Sequence, residues 1–140
     1  MSAAARRKGH DFERSVSNKL QQELGVSCKR VLDQYREGNL GDIVLEPFVI
    51  ECKRYACKFD PAQAWWDQAW QAGQHMNLTP ILVWKFDRRP IGAMVPLSLL
   101  ADNYPNEKSY TAQVTWETLM MIIREELNGD QIIQPVAQNL

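Results

Sequence analysis

Residues 41–54 read GDIVLEPFVIECKR: two short runs, DIVLE and FVIECKR, meeting at Pro47. The runs are too short for helices and rich in β-branched residues, so they read as strands. Proline has no amide to give a ladder and marks their junction. A tight connection centred between Glu46 and Pro47 sets Leu45 opposite Phe48, Ile43 opposite Ile50 and Asp42 opposite Glu51. Directly opposed residues share a face, with Cβ atoms about 5 Å apart. Strand alternation puts Lys53 on the face of Glu51. Ile43, Leu45, Ile50 and Cys52 then point the other way, into a core. The spacing therefore gathers two carboxylates and an ammonium at one end of the sheet. A slip of one residue turns Asp42 to the opposite face.

The flanking sequence extends this hairpin into a fold. Phe12, Val16, Leu20 and Leu24 recur every four residues, with Gly25 as a stop, and predict a first helix from Asp11. VSCKRVL (26–32) reads as a strand and YREGNLG (35–41) as a loop. PAQAWWDQAWQAGQHM (61–76) predicts a helix with Asp60 as N-cap and Pro61 at its first position. Its apolar stripe is Ala62, Trp66, Ala69, Gly73 and Met76. PILVWKF (80–86) is a continuous apolar strand, of the kind buried on both faces. IGAMVPL (91–97) reads as a further strand and TWETLMMIIREEL (115–127) as a last helix. The expected fold is α/β: an α-β-β-β-α-β core with a β-α extension, a mixed central sheet flanked by helices. Residues 1–140 make one domain, with 1–8 as a disordered basic arm and 128–140 as a polar tail.

A chain of 140 residues buries roughly two thirds of its unfolded surface and needs no disulfide staple. No apolar run approaches the ~20 residues of a membrane span, and the basic N-terminus is followed by no apolar stretch of a signal peptide. The expectation is a cytoplasmic protein that spans no membrane. The odd cysteine count of 3 argues against a disulfide framework. Cys28, Cys52, Cys57 and His75 make a loose candidate zinc set. The plainer reading is small buried apolar side chains.

Carboxylates in close apposition repel. A divalent cation resolves the conflict, and carboxylate oxygens suit a hard ion such as Mg²⁺, which takes one or two of them and keeps several waters. A neighbouring lysine can orient a water and offset phosphate charge. The alternative is a salt-bridged edge of a strand pair. The net charge of −1 does not advertise a nucleic-acid binder. Basic clusters nonetheless stand at Arg6-Arg7-Lys8, Lys29-Arg30, Lys53-Arg54 and Arg88-Arg89.

Asp42 followed by Glu51-Cys52-Lys53 resembles the PD-(D/E)XK nuclease superfamily, with Gly41 in place of the usual proline before the Asp. GHDFERSVSNKLQQELG is similar to the first helix of the archaeal-type Holliday junction resolvases, a branch that also occurs in viruses, and Glu13 matches the Glu of that helix. PILVWKF looks like the branch's strand after the crossover helix. The resemblance covers about residues 8 to 90, and REGNLG stands where the branch carries a Ser-Gly loop. It implies a restriction-endonuclease-like core and an Mg²⁺-dependent endonuclease, with Mn²⁺ as a substitute, hydrolysing phosphodiester bonds in branched DNA. It implies a homodimer, since two symmetric cuts take two sites. It also implies that Asp42, Glu51, the Cys52 carbonyl and Glu13 hold metal and that Lys53 handles the attacking water.

Arg30, Arg36 and Arg54 are candidate phosphate contacts, as is Lys85 in its apolar strand. Gln68 or Gln71 is expected to reach the site from the crossover helix, and Gln71 is counted with the DNA contacts. His10 reads as a surface residue. Trp65, Trp66 and Trp70 read as core or dimer interface, the interface being preferred over base stacking. Two rival functions remain: a restriction-like or general DNA-processing endonuclease, and a non-catalytic DNA-binding module on the same fold.

Overall fold

The structure, a computed structural model, describes residues 2–31, 41–56 and 60–139, with side chains as far as residue 129. Chain order begins with helix α1 (Ala3–Leu24), strands β1 (Lys29–Arg30), β2 (Ile43–Leu45) and β3 (Phe48–Tyr55), and helix α2 (Gln63–Met76). Strands β4 (Thr79–Phe86) and β5 (Gly92–Pro96), a 3-10 turn at Leu97–Leu99, strand β6 (Thr111–Thr115) and helix α3 (Trp116–Asn139) complete it. The six strands form one sheet in the order β1-β2-β3-β4-β5-β6. Among the described residues only β3 and β4 run parallel, because α2 carries the chain back across the sheet before β4 begins. The α-β-β-β-α-β order and the mixed sheet agree with the sequence reading.

The β2–β3 register is the expected one, Ile43↔Ile50, Val44↔Val49 and Leu45↔Phe48. Alternation then divides β3 and β4 between two layers. Phe48, Ile50, Cys52, Ile81 and Val83 pack with Phe12, Val16 and Leu20 of α1 and Leu119 and Ile123 of α3. Leu82, Trp84 and Phe86 pack with Trp65, Trp66 and Ala69 of α2. Each large apolar side chain so buried contributes about 1.5–3 kcal/mol. No helix among the described residues is long and apolar enough to cross a membrane.

Six local expectations are corrected. Residues 3–8 are helical rather than a disordered arm: Ser2 caps α1 by accepting from the Ala5 amide at 3.1 Å, and the alanines that follow favour helix strongly. The strand expected over 26–32 shrinks to Lys29–Arg30 among the described residues. Helix α2 starts two residues later than expected, capped at Ala62 without a side-chain hydrogen bond. Strand β6 was not anticipated, and the backbone of α3 runs through the expected polar tail to Asn139. Trp65 and Trp66, 7% and 2% exposed, lie in this chain's own core rather than at an interface, with Trp70 packed beside them. Trp65 stacks on Tyr55, and Trp66 donates to the Lys108 carbonyl at 2.8 Å. Gly25 ends α1 as expected, at a φ of 66° that favours glycine.

Candidate active site

A cleft of about 580 Å³ opens where β2 begins beside β3, bounded by the first turns of α1 and by α2. Glu13, Asp42, Glu51, Cys52, Lys53 and Arg54 all line it.

Asp42 is fixed by its own backbone. Its amide donates to the Ile50 carbonyl at 3.0 Å and its carbonyl accepts from the Val31 amide at 2.9 Å. Its Oδ2 accepts from the Cys52 amide at 2.7 Å. Asp42 thus grips β3 on both sides of Glu51. The residue before it must be small: a Cβ on Gly41 would collide with Val49 Cγ2, which accounts for glycine at that position. Glu51 is set on the α2 side of the sheet by its register with Leu82, as Lys53 is by Trp84.

Asp42 and Glu51 are buried, 1% and 2% exposed. The Lys53 ammonium stands 3.6 Å from Glu51 Oε1 and donates to Gln68 Oε1 at 2.8 Å. Glu13 approaches from α1, its Oε2 3.3 Å from Arg30 Nη2 and 3.9 Å from His10 Nδ1. Burial pushes the Cys52 thiol well above the ordinary range; Asp42, Glu13 and Glu51 push it further, against Arg30.

This donor set suits a hard, hydrated cation. Asp42 and Glu51 each bring a buried carboxylate to the cleft, and Mg²⁺ needs no more than one or two from protein. Among the described residues no group of three or more His, Cys, Asp or Glu side chains is placed to hold a metal ion. Glu13 is engaged by Arg30, which bears on any direct contact from it. The zinc set is not assembled among the described residues, and Cys57 lies outside them. Cys28 instead contacts Ser17 Oγ at 3.2 Å.

The DNA-contact candidates separate. Arg54 lines the cleft. Arg30 turns inward, donating to the His10 carbonyl and Glu13, because a buried carboxylate needs a cation. The Lys85 ammonium donates to the Phe86 carbonyl at 2.9 Å, and Lys85 does not line the cleft. Gln71 is exposed and does not line the cleft; Gln68 does. Arg36 lies outside the described residues. His10, read as surface, stands in the cleft wall with Lys8. Its signal was the i,i+3 spacing to Glu13, visible once the helix is extended toward the N-terminus.

A family model described as "Phage putative PDDEXK endonuclease" matches residues 4–134. No curated protein matches the sequence. Among solved structures, that of Hjc from Archaeoglobus fulgidus, described as a Holliday junction resolvase from an archaeal hyperthermophile, is similar with a TM-score of 0.48 and 17% identity, over 79% of this chain and 85% of that one. The family match spans nearly the whole chain, including each carboxylate that lines the cleft, and the chain belongs to the phage PDDEXK endonuclease family.

Proposed function

We propose that the protein is an Mg²⁺-dependent, structure-specific DNA endonuclease that hydrolyses phosphodiester bonds in branched DNA, acting as a homodimer in the manner of a Holliday junction resolvase. The observation that carries the nuclease reading is the meeting of Asp42, Glu51 and Lys53 in one cleft wall. The branched substrate and the paired subunits rest on the likeness of the first-helix segment, Glu13 included, to the resolvase branch.

Asp42 and Glu51, with the Cys52 carbonyl, are the residues to hold the cation, and Glu13 reaches it directly or through water. Mg²⁺ or Mn²⁺, when bound, acidifies a water and offsets the charge that builds on the phosphate. Lys53 orients the attacking water and keeps its ammonium toward the phosphate. Gln68 holds that ammonium at 2.8 Å, so it does not collapse fully onto Glu51. Lys8 and Arg54 in the cleft lining supply positive charge for a polymer backbone.

The test compares cleavage of a synthetic four-way junction with that of the linear duplex of one arm, with and without Mg²⁺. Metal-dependent cutting confined to the junction is the expected result. Equal cutting of both makes the protein a general DNA-processing endonuclease. Binding without cutting in either Mg²⁺ or Mn²⁺ leaves a non-catalytic module.

A further inference from the structure

On the rim of the cleft three separate elements meet at one oxygen. Asp87, in the turn between β4 and β5, accepts at Oδ1 from Lys8 Nζ of α1 at 3.0 Å and from Arg54 Nη2 of β3 at 2.6 Å. The guanidinium is aimed beforehand: Arg54 Nη1 donates to the Tyr55 carbonyl at 2.7 Å and to the Lys85 carbonyl at 3.4 Å. The turn is anchored too, by the Asp87 amide on the Ala56 carbonyl at 3.0 Å. A guanidinium fixed by carbonyls and an ammonium opposite it, both directed at one anionic oxygen, is how proteins hold a phosphate oxygen.

Stability alone gives a weak reason for the arrangement. The Lys8 and Asp87 side chains are 39% and 43% exposed, and an ion pair so exposed contributes little, which leaves only the Arg54 pair, with Arg54 17% exposed, to add stability. Location gives a better one. Lys8 and Arg54 line the cleft that holds Asp42, Glu51 and Lys53. We propose that Lys8 and Arg54 form a subsite for a DNA phosphate beside the scissile one, and that Asp87 Oδ1 fills it in the free protein until a phosphate oxygen takes its place. DNA as the ligand rests on the nuclease reading above. Hydrogen bonds from Arg54, then Lys8, hold the Asp87 carboxyl below its usual range, so the stand-in is charged at neutral pH. Asp87 thereby competes with the backbone of any nucleic acid entering the cleft.

Binding of a fluorescent four-way junction, measured without divalent cation across a KCl series, tests this. Asp87→Asn removes the competitor's charge and should tighten binding about fivefold at low salt. Lys8→Gln should weaken binding and lower the slope of log K against log salt by about 0.9, the loss of one phosphate contact. Arg14→Gln, the same charge loss on the same helix outside the cleft, should leave the slope alone. The idea is overturned if Lys8→Gln keeps the parent slope or Arg14→Gln changes it equally. It is also overturned if Asp87→Asn, folded as judged by its melting temperature, binds no tighter than the parent. Lys8→Gln alone decides should Asp87→Asn fail to fold. A parent that shows these shifts but cuts nothing in Mg²⁺ supports the subsite while sinking the nuclease reading. A parent that binds no DNA at about 50 mM salt overturns both.

Discussion

Oδ2 of Asp42 lies 2.7 Å from the amide nitrogen of Cys52, so the first acidic residue of the motif is tied to the middle of its Glu-x-Lys. The bond runs across the ladder and brackets Glu51, independently of side-chain packing. Asp42→Asn keeps an acceptor for that amide and removes only the charge. It should lower cleavage at least about 100-fold and leave DNA affinity near the parent value, read by cleavage assay and gel shift in parallel. Asp42→Ala also strands a buried amide and should cost about 1–3 kcal/mol in urea denaturation. Asp42→Asn cutting at the parent rate would show that the active site lies elsewhere.

Lys53 depends on Gln68 for its position. Gln68→Ala should reduce kcat roughly 10- to 100-fold with little change in KM, because the ammonium is misplaced rather than lost. Lys53→Ala should be the more severe of the two. Single-turnover kinetics on a labelled junction separates them, and a Gln68→Ala enzyme with the parent kcat would remove Gln68 from the site.

Gly41 is held by contact rather than by backbone conformation. Gly41→Ala drives a methyl into Val49, with the Ala72 Cβ close behind at 3.7 Å. The expected cost is about 1–3 kcal/mol, seen as a lower melting temperature. The companion Gly41→Ala, Val49→Ala variant should recover part of that loss.

Asp67 clips the segment before β6 to α2. Its carboxyl is held below the usual range by Gln63 and by Lys108, whose ammonium is 3.2 Å away. A depressed carboxylate stabilises the fold above its unfolded pKa of about 3.9 and loses that contribution as pH falls through the folded value. Below about pH 4 the parent should therefore lose more melting temperature than Asp67→Asn does. Parallel acid titrations of the two would refute the clip.

The hairpin was legible because its determinants are local. Pro47 sets the junction, alternation sets the faces, and Asp42, Glu51 and Lys53 follow from counting. Gln68 was less so: it and Gln71 differ by about 60° around a helix, and the choice belongs to Trp65, Trp66 and Ala69 docking on the sheet. Arg30 carries no sequence mark distinguishing a cation for DNA from one owed to buried Glu13. The start of α1 was hidden by Arg6-Arg7-Lys8-Gly9, which has no apolar stripe; Ser2 and a run of alanine hold it instead. Strand β6 is a partly exposed edge, so its alternation has no consistent apolar face to read.

The hairpin of β2 and β3 brings Asp42, Glu51 and Lys53 from one unbroken stretch of chain, whereas Lys8 and Asp87 come from two distant ones. Reactivity is thus portable and choice of target is not. Transplanting residues 41–54 into a relative that keeps its own counterparts of Glu13 and Gln68 should restore cleavage while leaving the recipient's own preference for DNA shape in command.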